Sequence, residues 1–148
     1  MRIYLDNCCF NRPYDDKSSI NIKLEAEAKL YIQELIKEGK IELIWSYMLE
    51  YENSLNPFLE RKIVIYKWKA ISSQIIIEDH EVIENISKLE NMGVKAQDAA
   101  HISSAIKAKC DYFITTDYKL NRLSGVISDI NVINPIDFIR LLEEQNEN

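Results

Sequence analysis

The spacing of hydrophobic residues changes several times along the chain, and each change marks an element. Residues 2–5 (RIYL) form a short β-type run that stops at the polar pair Asp6-Asn7, a turn or a helix cap. NRPYDDKSS, with Pro13 and two adjacent acids, reads as a loop. Over residues 21–38 the apolar positions Ile22, Ala26, Leu30, Ile32, Leu35 and Ile36 recur near every 3.6 residues, which predicts a helix, and Gly39 follows where a C-terminal glycine belongs. IELIW (41–45) predicts a second strand, with Ser46 as N-cap of a short helix over 48–53 that stops near Asn56-Pro57. A further helix is expected over 58–72, with Ile63, Tyr66, Trp68 and Ile71 as its apolar positions. QIII (74–77) is a short strand, and EDHEVIENISKLENMG a helix ending at Gly93. Residues 95–109 make an Ala-rich helix, 112–115 (YFIT) a strand, and NVIN a last short strand. The closing helix has Pro135 at its first position.

Strands alternating with helices predict an α/β fold, a parallel β-sheet sandwiched between helices. Length and composition fit one domain over 1–144: 148 residues, 47% hydrophobic, with only three Gly and three Pro. A frayed tail is expected over 145–148. The formal net charge of −6 and pI near 5.0 argue against a broad basic footprint for nucleic acid, though not against a local basic rim. Cys8, Cys9 and Cys110 form no CxxC pair, and no run approaches a signal peptide or a membrane span. A reduced, cytoplasmic chain is the expectation.

In parallel sheets ligands bind beyond the carboxyl ends of the strands. Asp6 and Asp117 stand at two such ends, and the first and fourth strands can be neighbours. Asp98 lies near the start of the Ala-rich helix. Each acid alone is an ordinary cap or first-turn residue. Together they would repel: two carboxylates about 4 Å apart cost roughly 4 kcal/mol at an effective dielectric of 20. A proton or a cation has to offset that. Oxygen-only donors select Mg²⁺ or Mn²⁺, and the chain has no HExxH or CxxC zinc pattern. A cation so held suits phosphodiester hydrolysis.

Three stretches carry a more specific pattern. YLDNCCFNRPYDD is a strand followed by Asp and a small polar residue; IWSYMLEYEN is a strand, a Ser and a helical Glu. KAQDAAHISSAIKAKCDYFITTDYKL contains a D-A-x-H-x-x-x-A helix and a T-x-D strand end. In this order, over most of the chain, they resemble PIN domains, the nuclease fold of VapC-type toxins and related prokaryotic proteins. The resemblance implies an α/β/α sandwich, a site for one or two Mg²⁺ or Mn²⁺ ions, and endonucleolytic cleavage, mostly of RNA. It assigns Asp6, Asp98 and Asp117 as catalytic and metal-site acids, with Glu52 or Glu50 as the fourth; six residues after Ser46 is the commoner spacing and favours Glu52. The two glutamates are about 200° apart on a helix, so only one can face the pocket. Asn121 replaces a further family acid, which favours one ion over two. The resemblance also implies an antitoxin as a partner and a homodimer.

Substrate-contact candidates are Arg12, Asn7, Thr115 and Thr116, each with an ordinary structural role as the alternative. His101, on the face of Asp98, reads as structural before it reads as an acid or base. Lys107, Lys109, Lys119 and Arg122 could rim a site. Asp111 is expected to cap the preceding helix end, the cysteines to pack beside the first strand, and Tyr47, Tyr51, Tyr66 and Trp68 to form core or dimer surface. Two rivals remain: a degenerate PIN-like module that binds RNA or protein without cleavage, and an aspartyl phosphotransferase, disfavoured because Cys8 stands where that chemistry has a second Asp.

Overall fold

A computed structural model of the chain describes residues 1–147. Five strands are present: β1 (Arg2–Leu5), β2 (Glu42–Ser46), β3 (Gln74–Ile76), β4 (Tyr112–Ile114) and β5 (Asn131–Ile133). They form one parallel sheet in the order β3-β2-β1-β4-β5. The chain therefore builds outward from β1 in one direction, returns, and builds outward in the other. The reversal falls between β1 and β4, and a crevice opens at such a switch point.

Eight α-helices connect and flank the strands: α1 (Asn7–Asn11), α2 (Ile20–Lys37), α3 (Tyr47–Ser54), α4 (Leu59–Ile71), α5 (His80–Asn91), α6 (Ala96–Lys107), α7 (Tyr118–Asn121) and α8 (Pro135–Glu147). The α/β/α sandwich predicted from the alternation is the observed fold. Side chains alternate across a strand, and this sorts the two layers. Tyr4, its register partner Ile44, and Ser46 share one face, where Tyr4 stacks on Phe113 and meets His101 of α6. Trp45 points to the other face, edge-on to Phe10 of α1.

Several expected details differ. The stretch after Asp6 is helical at once: α1 is followed by a 3₁₀ turn, Arg12–Tyr14, where a loop was expected from Asn11 onward. The buried face of α2 is Glu25, Ala26, Lys29, Ile32, Gln33 and Ile36, while Leu30 is exposed. On α4 the buried residues are Ile65 and Trp68; Ile63, Tyr66 and Ile71 are exposed. Asp111 does not cap α6: it accepts the Arg2 N–H at 2.8 Å and so ties the start of β1 to β4. The stretch expected to fray is helical through Glu147, and Asn148 lies outside the described residues. No helix among the described residues is long and apolar enough to cross a membrane.

Candidate metal centre

Asp6 ends β1 and caps α1, accepting the Asn7 backbone N–H at 2.8 Å on Oδ1. Its other oxygen accepts the Thr115 hydroxyl, also at 2.8 Å. Thr115 Oγ1 in turn accepts the Asp117 N–H at 3.0 Å. One buried hydroxyl thus joins the carboxyl ends of β1 and β4 across the switch point. Asp117 caps α7, with Oδ1 accepting from Lys119 N and Leu120 N. The cap leaves its carboxylate at the mouth of the crevice, where Asp98, from the first turn of α6, lines the same cleft. The Asp98 carboxyl is raised above the usual carboxylate range, first by burial, then by the negative charges of Asp6 and Asp117. Those charges are near enough to be felt, so the three aspartates share one electrostatic neighbourhood.

The fourth acid comes from α3. Ser46 is its N-cap, with Oγ accepting the Leu49 N–H at 3.2 Å. The helix turns Glu52 toward β1, where Oε1 is hydrogen-bonded to His101 Nε2. Oε2 receives the Asn7 side-chain amide at 3.5 Å. Glu50 is turned away and pairs with Lys69 at 2.5 Å. The structure therefore separates two acids that sequence spacing left open.

His101 is 1% exposed and holds this arrangement from below. Its Nε2 lies 3.8 Å from Asp6 Oδ1 as well as against Glu52. Its Nδ1 is 2.5 Å from the Tyr4 hydroxyl, which is 2.6 Å from Ser46 Oγ. A carboxylate only accepts, so Nε2 carries a proton in either charge state of the ring. Burial pulls the His101 pKa down, but the Glu52 hydrogen bond and the charges of Asp6, Glu52 and Asp98 outweigh it, and the net shift is upward. Burial likewise pushes the Tyr4 phenol well above its usual value, so it remains a hydroxyl. The sequence offered His101 only as one residue three places after an acid. Its link to Tyr4, Ser46 and Glu52 depends on β1, β2 and α3 meeting α6, which no local spacing reveals.

The expected substrate contacts fall into different places. Thr115 is fully buried and spends its hydroxyl on Asp6 and Asp117, so it positions acids rather than meeting a phosphate. Arg12 is committed to Asp15 at 3.0 Å and to Glu25 at 3.5 Å. Asn7 lies at the site, bonded to Glu52. Thr116 lines a neighbouring polar cleft, its hydroxyl buried without a hydrogen-bond partner. Asn121 donates to the carbonyls of Thr115 and Asp117 at 2.8 and 3.0 Å, bracing the β4 end. Cys8 also reaches the site, with Sγ 3.4 Å from both Asp6 Oδ2 and Thr115 Oγ1. Lys107 is drawn off to Asp79 and Glu81.

Among the described residues, no three His, Cys, Asp or Glu side chains are gathered tightly enough to hold an ion by themselves. Mg²⁺ needs only one or two carboxylates, because it keeps several waters. The donors here are all carboxylate oxygens, and the charges that raise Asp98 show that they face a common space. A hard divalent cation with part of its water shell fits that donor set.

No family model matches the sequence, and no curated protein does. Among solved structures the fold is similar to a chain in the crystal structure of VapBC2 from Rickettsia felis bound to a DNA fragment from their promoter. The TM-score is 0.55 at 18% identity, covering 90% of this chain and 98% of that one. At that identity the likeness shows a shared fold.

Proposed function

We propose that this chain is a metal-dependent endonuclease acting on RNA, with Asp6, Glu52, Asp98 and Asp117 as the acids that hold Mg²⁺ or Mn²⁺. The observation that carries the reading is the convergence of four acids from four elements at the switch point of a parallel sheet. A bound divalent cation supplies Lewis-acid chemistry there: it offsets charge on the phosphate and makes water a better nucleophile. Thr115 fixes the relative position of Asp6 and Asp117. His101 holds Glu52 through Nε2–H and is itself held through Nδ1, so it has no free lone pair with which to take a proton from water. Asp98, with its raised pKa, is the acid best suited to take up that proton. No covalent enzyme intermediate is required. Asn121, occupied as a brace, favours one ion over two.

RNA as the substrate rests on the PIN resemblance. The fold's likeness to a chain from a VapBC2 assembly supports a partner protein, an antitoxin that restrains the nuclease; a homodimer is part of the same expectation. Incubation of purified chain with labelled single-stranded RNA tests the activity. Cleavage is expected with Mn²⁺ and not with EDTA. Asp6→Asn and Asp117→Asn should each lose at least the roughly 10–100-fold that a lost outer-shell partner costs. Variants that cut as fast as the parent would contradict the mechanism.

A further inference from the structure

The cleft between the α5–α6 loop and α7 carries more than the acids. Its volume is about 570 Å³, and Asp98 and Asp117 share its lining with Val94, Lys95, Tyr118 and Lys119. Leu120 and Leu123 add apolar wall. Tyr118 is 70% exposed, so its ring does little for the core. The Arg122 guanidinium carbon lies 4.7 Å from the ring centroid. Lys95 and Lys119 are exposed, and among the described residues neither has a carboxylate partner. Cations elsewhere are paired: Arg12 with Asp15 and Glu25, Lys69 with Glu50, Lys107 with Asp79 and Glu81. In a chain of net charge −6, two unpaired lysines beside an exposed aromatic ring and two acids form a local basic rim.

We infer that this cleft seats the single-stranded RNA segment next to the scissile phosphate, with a base stacked on Tyr118 and backbone phosphates at Lys95 and Lys119. The inference rests on the nuclease reading for why a strand comes to Asp98 and Asp117. An unpaired base offers a π-face to a tyrosine, and a cation against the ring strengthens such platforms. Apolar walls suit base faces, and lysines suit phosphates. A duplex keeps its bases stacked on one another and cannot use the ring in this way. An acidic peptide would meet the lysines but be repelled by Asp98 and Asp117, and a basic peptide would meet the reverse. A polyanion bridged to those acids by a divalent ion satisfies both charge signs.

Binding tests this apart from cleavage. Fluorescence anisotropy with a labelled ten-nucleotide single-stranded RNA, in Ca²⁺ and in EDTA, is measured for the full chain. Tyr118→Ala should weaken binding at least about fivefold, and Tyr118→Phe should stay within about twofold of the parent. In the Lys95→Gln/Lys119→Gln variant the slope of log affinity against log salt should become shallower by about 0.7 for each lysine. On an RNA duplex of the same length, Tyr118→Ala should change little. Unchanged binding by Tyr118→Ala, an equal loss on the duplex, or no binding by the parent chain in either buffer would overturn the inference. A parent chain that binds this RNA as described yet cuts nothing with Mn²⁺ would contradict the nuclease reading and leave the cleft assignment standing.

Discussion

Both ring nitrogens of His101 are engaged, and that decides what the residue can do. It cannot serve as a base while Nε2 donates to Glu52 and Nδ1 is bonded to Tyr4. Its work is to place Glu52 beside Asp6. Removing it should therefore act on the cation before it acts on chemistry. His101→Ala is expected to weaken Mn²⁺ binding by about 10–100-fold, and Tyr4→Phe by a smaller factor, read by isothermal titration calorimetry. Parent-like Mn²⁺ affinity in a folded His101→Ala chain would contradict that role. The three aspartates were legible in the sequence because each sits at a local landmark, a strand end or a first helical turn. Thr115 was visible as a residue of interest, but its role was not. Its hydroxyl meets Asp6 across a sequence separation of 109 residues, and only the β1–β4 pairing brings the two together.

At the scale of elements, long helices and the five strands were legible from period and caps, because each repeats its signal over enough residues. The helices α1 and α7, of five and four residues, are too short to show a period. Both are launched by the site aspartates as N-caps, so the local signal for each was the acid itself. The face of α2 was misread for a different reason. Lys29 is 3% exposed, with Nζ 5.1 Å from the Phe10 ring centroid and 5.8 Å from that of Trp68, and the exposed Leu30 sits beside it. A lysine stem can cover apolar surface, and aromatic faces tolerate the ammonium. Binary patterning scores that lysine as outward. Burial lowers the Lys29 pKa from 10.5 to about 7. Between those values the unfolded chain binds a proton that the folded chain does not, so stability rises with pH across that window. Chemical denaturation of the parent chain relative to Lys29→Met should show this as a difference growing by up to about 1.4 kcal/mol per pH unit between pH 7 and 10. Parallel pH profiles for the two chains would show that Lys29 is not buried as described.

For the whole molecule, the order β3-β2-β1-β4-β5 does the assembling. It puts the ends of β2, β1 and β4 side by side, so a serine cap, a strand-end acid and a second strand-end acid become neighbours. The α/β class was readable from alternation, and the adjacency of the first and fourth strands was the expectation that made an acidic pocket plausible. The cleft beside α7 was not readable, because its walls come from the α5–α6 loop and from a helix with no sequence period. The same topology makes the folded chain hold acids together against their repulsion, which should leave two thermodynamic marks. Replacing Asp98 by Asn should raise the melting temperature in EDTA, since the group held above its ordinary pKa opposes folding at neutral pH. Adding a cation should stabilise the parent chain more than the variant.

The most direct test is therefore a thermal melt of the parent and Asp98→Asn chains with and without Mn²⁺. At an Mn²⁺ concentration about 100 times its dissociation constant, linkage gives about 2.7 kcal/mol. For a chain of this size that is roughly a 5–10 °C rise. The account predicts that rise for the parent, a higher melting temperature for Asp98→Asn in EDTA, and a smaller Mn²⁺ shift in that variant. A parent chain whose melting temperature does not move at millimolar Mn²⁺ would contradict the assignment of Asp6, Glu52, Asp98 and Asp117 as a metal centre.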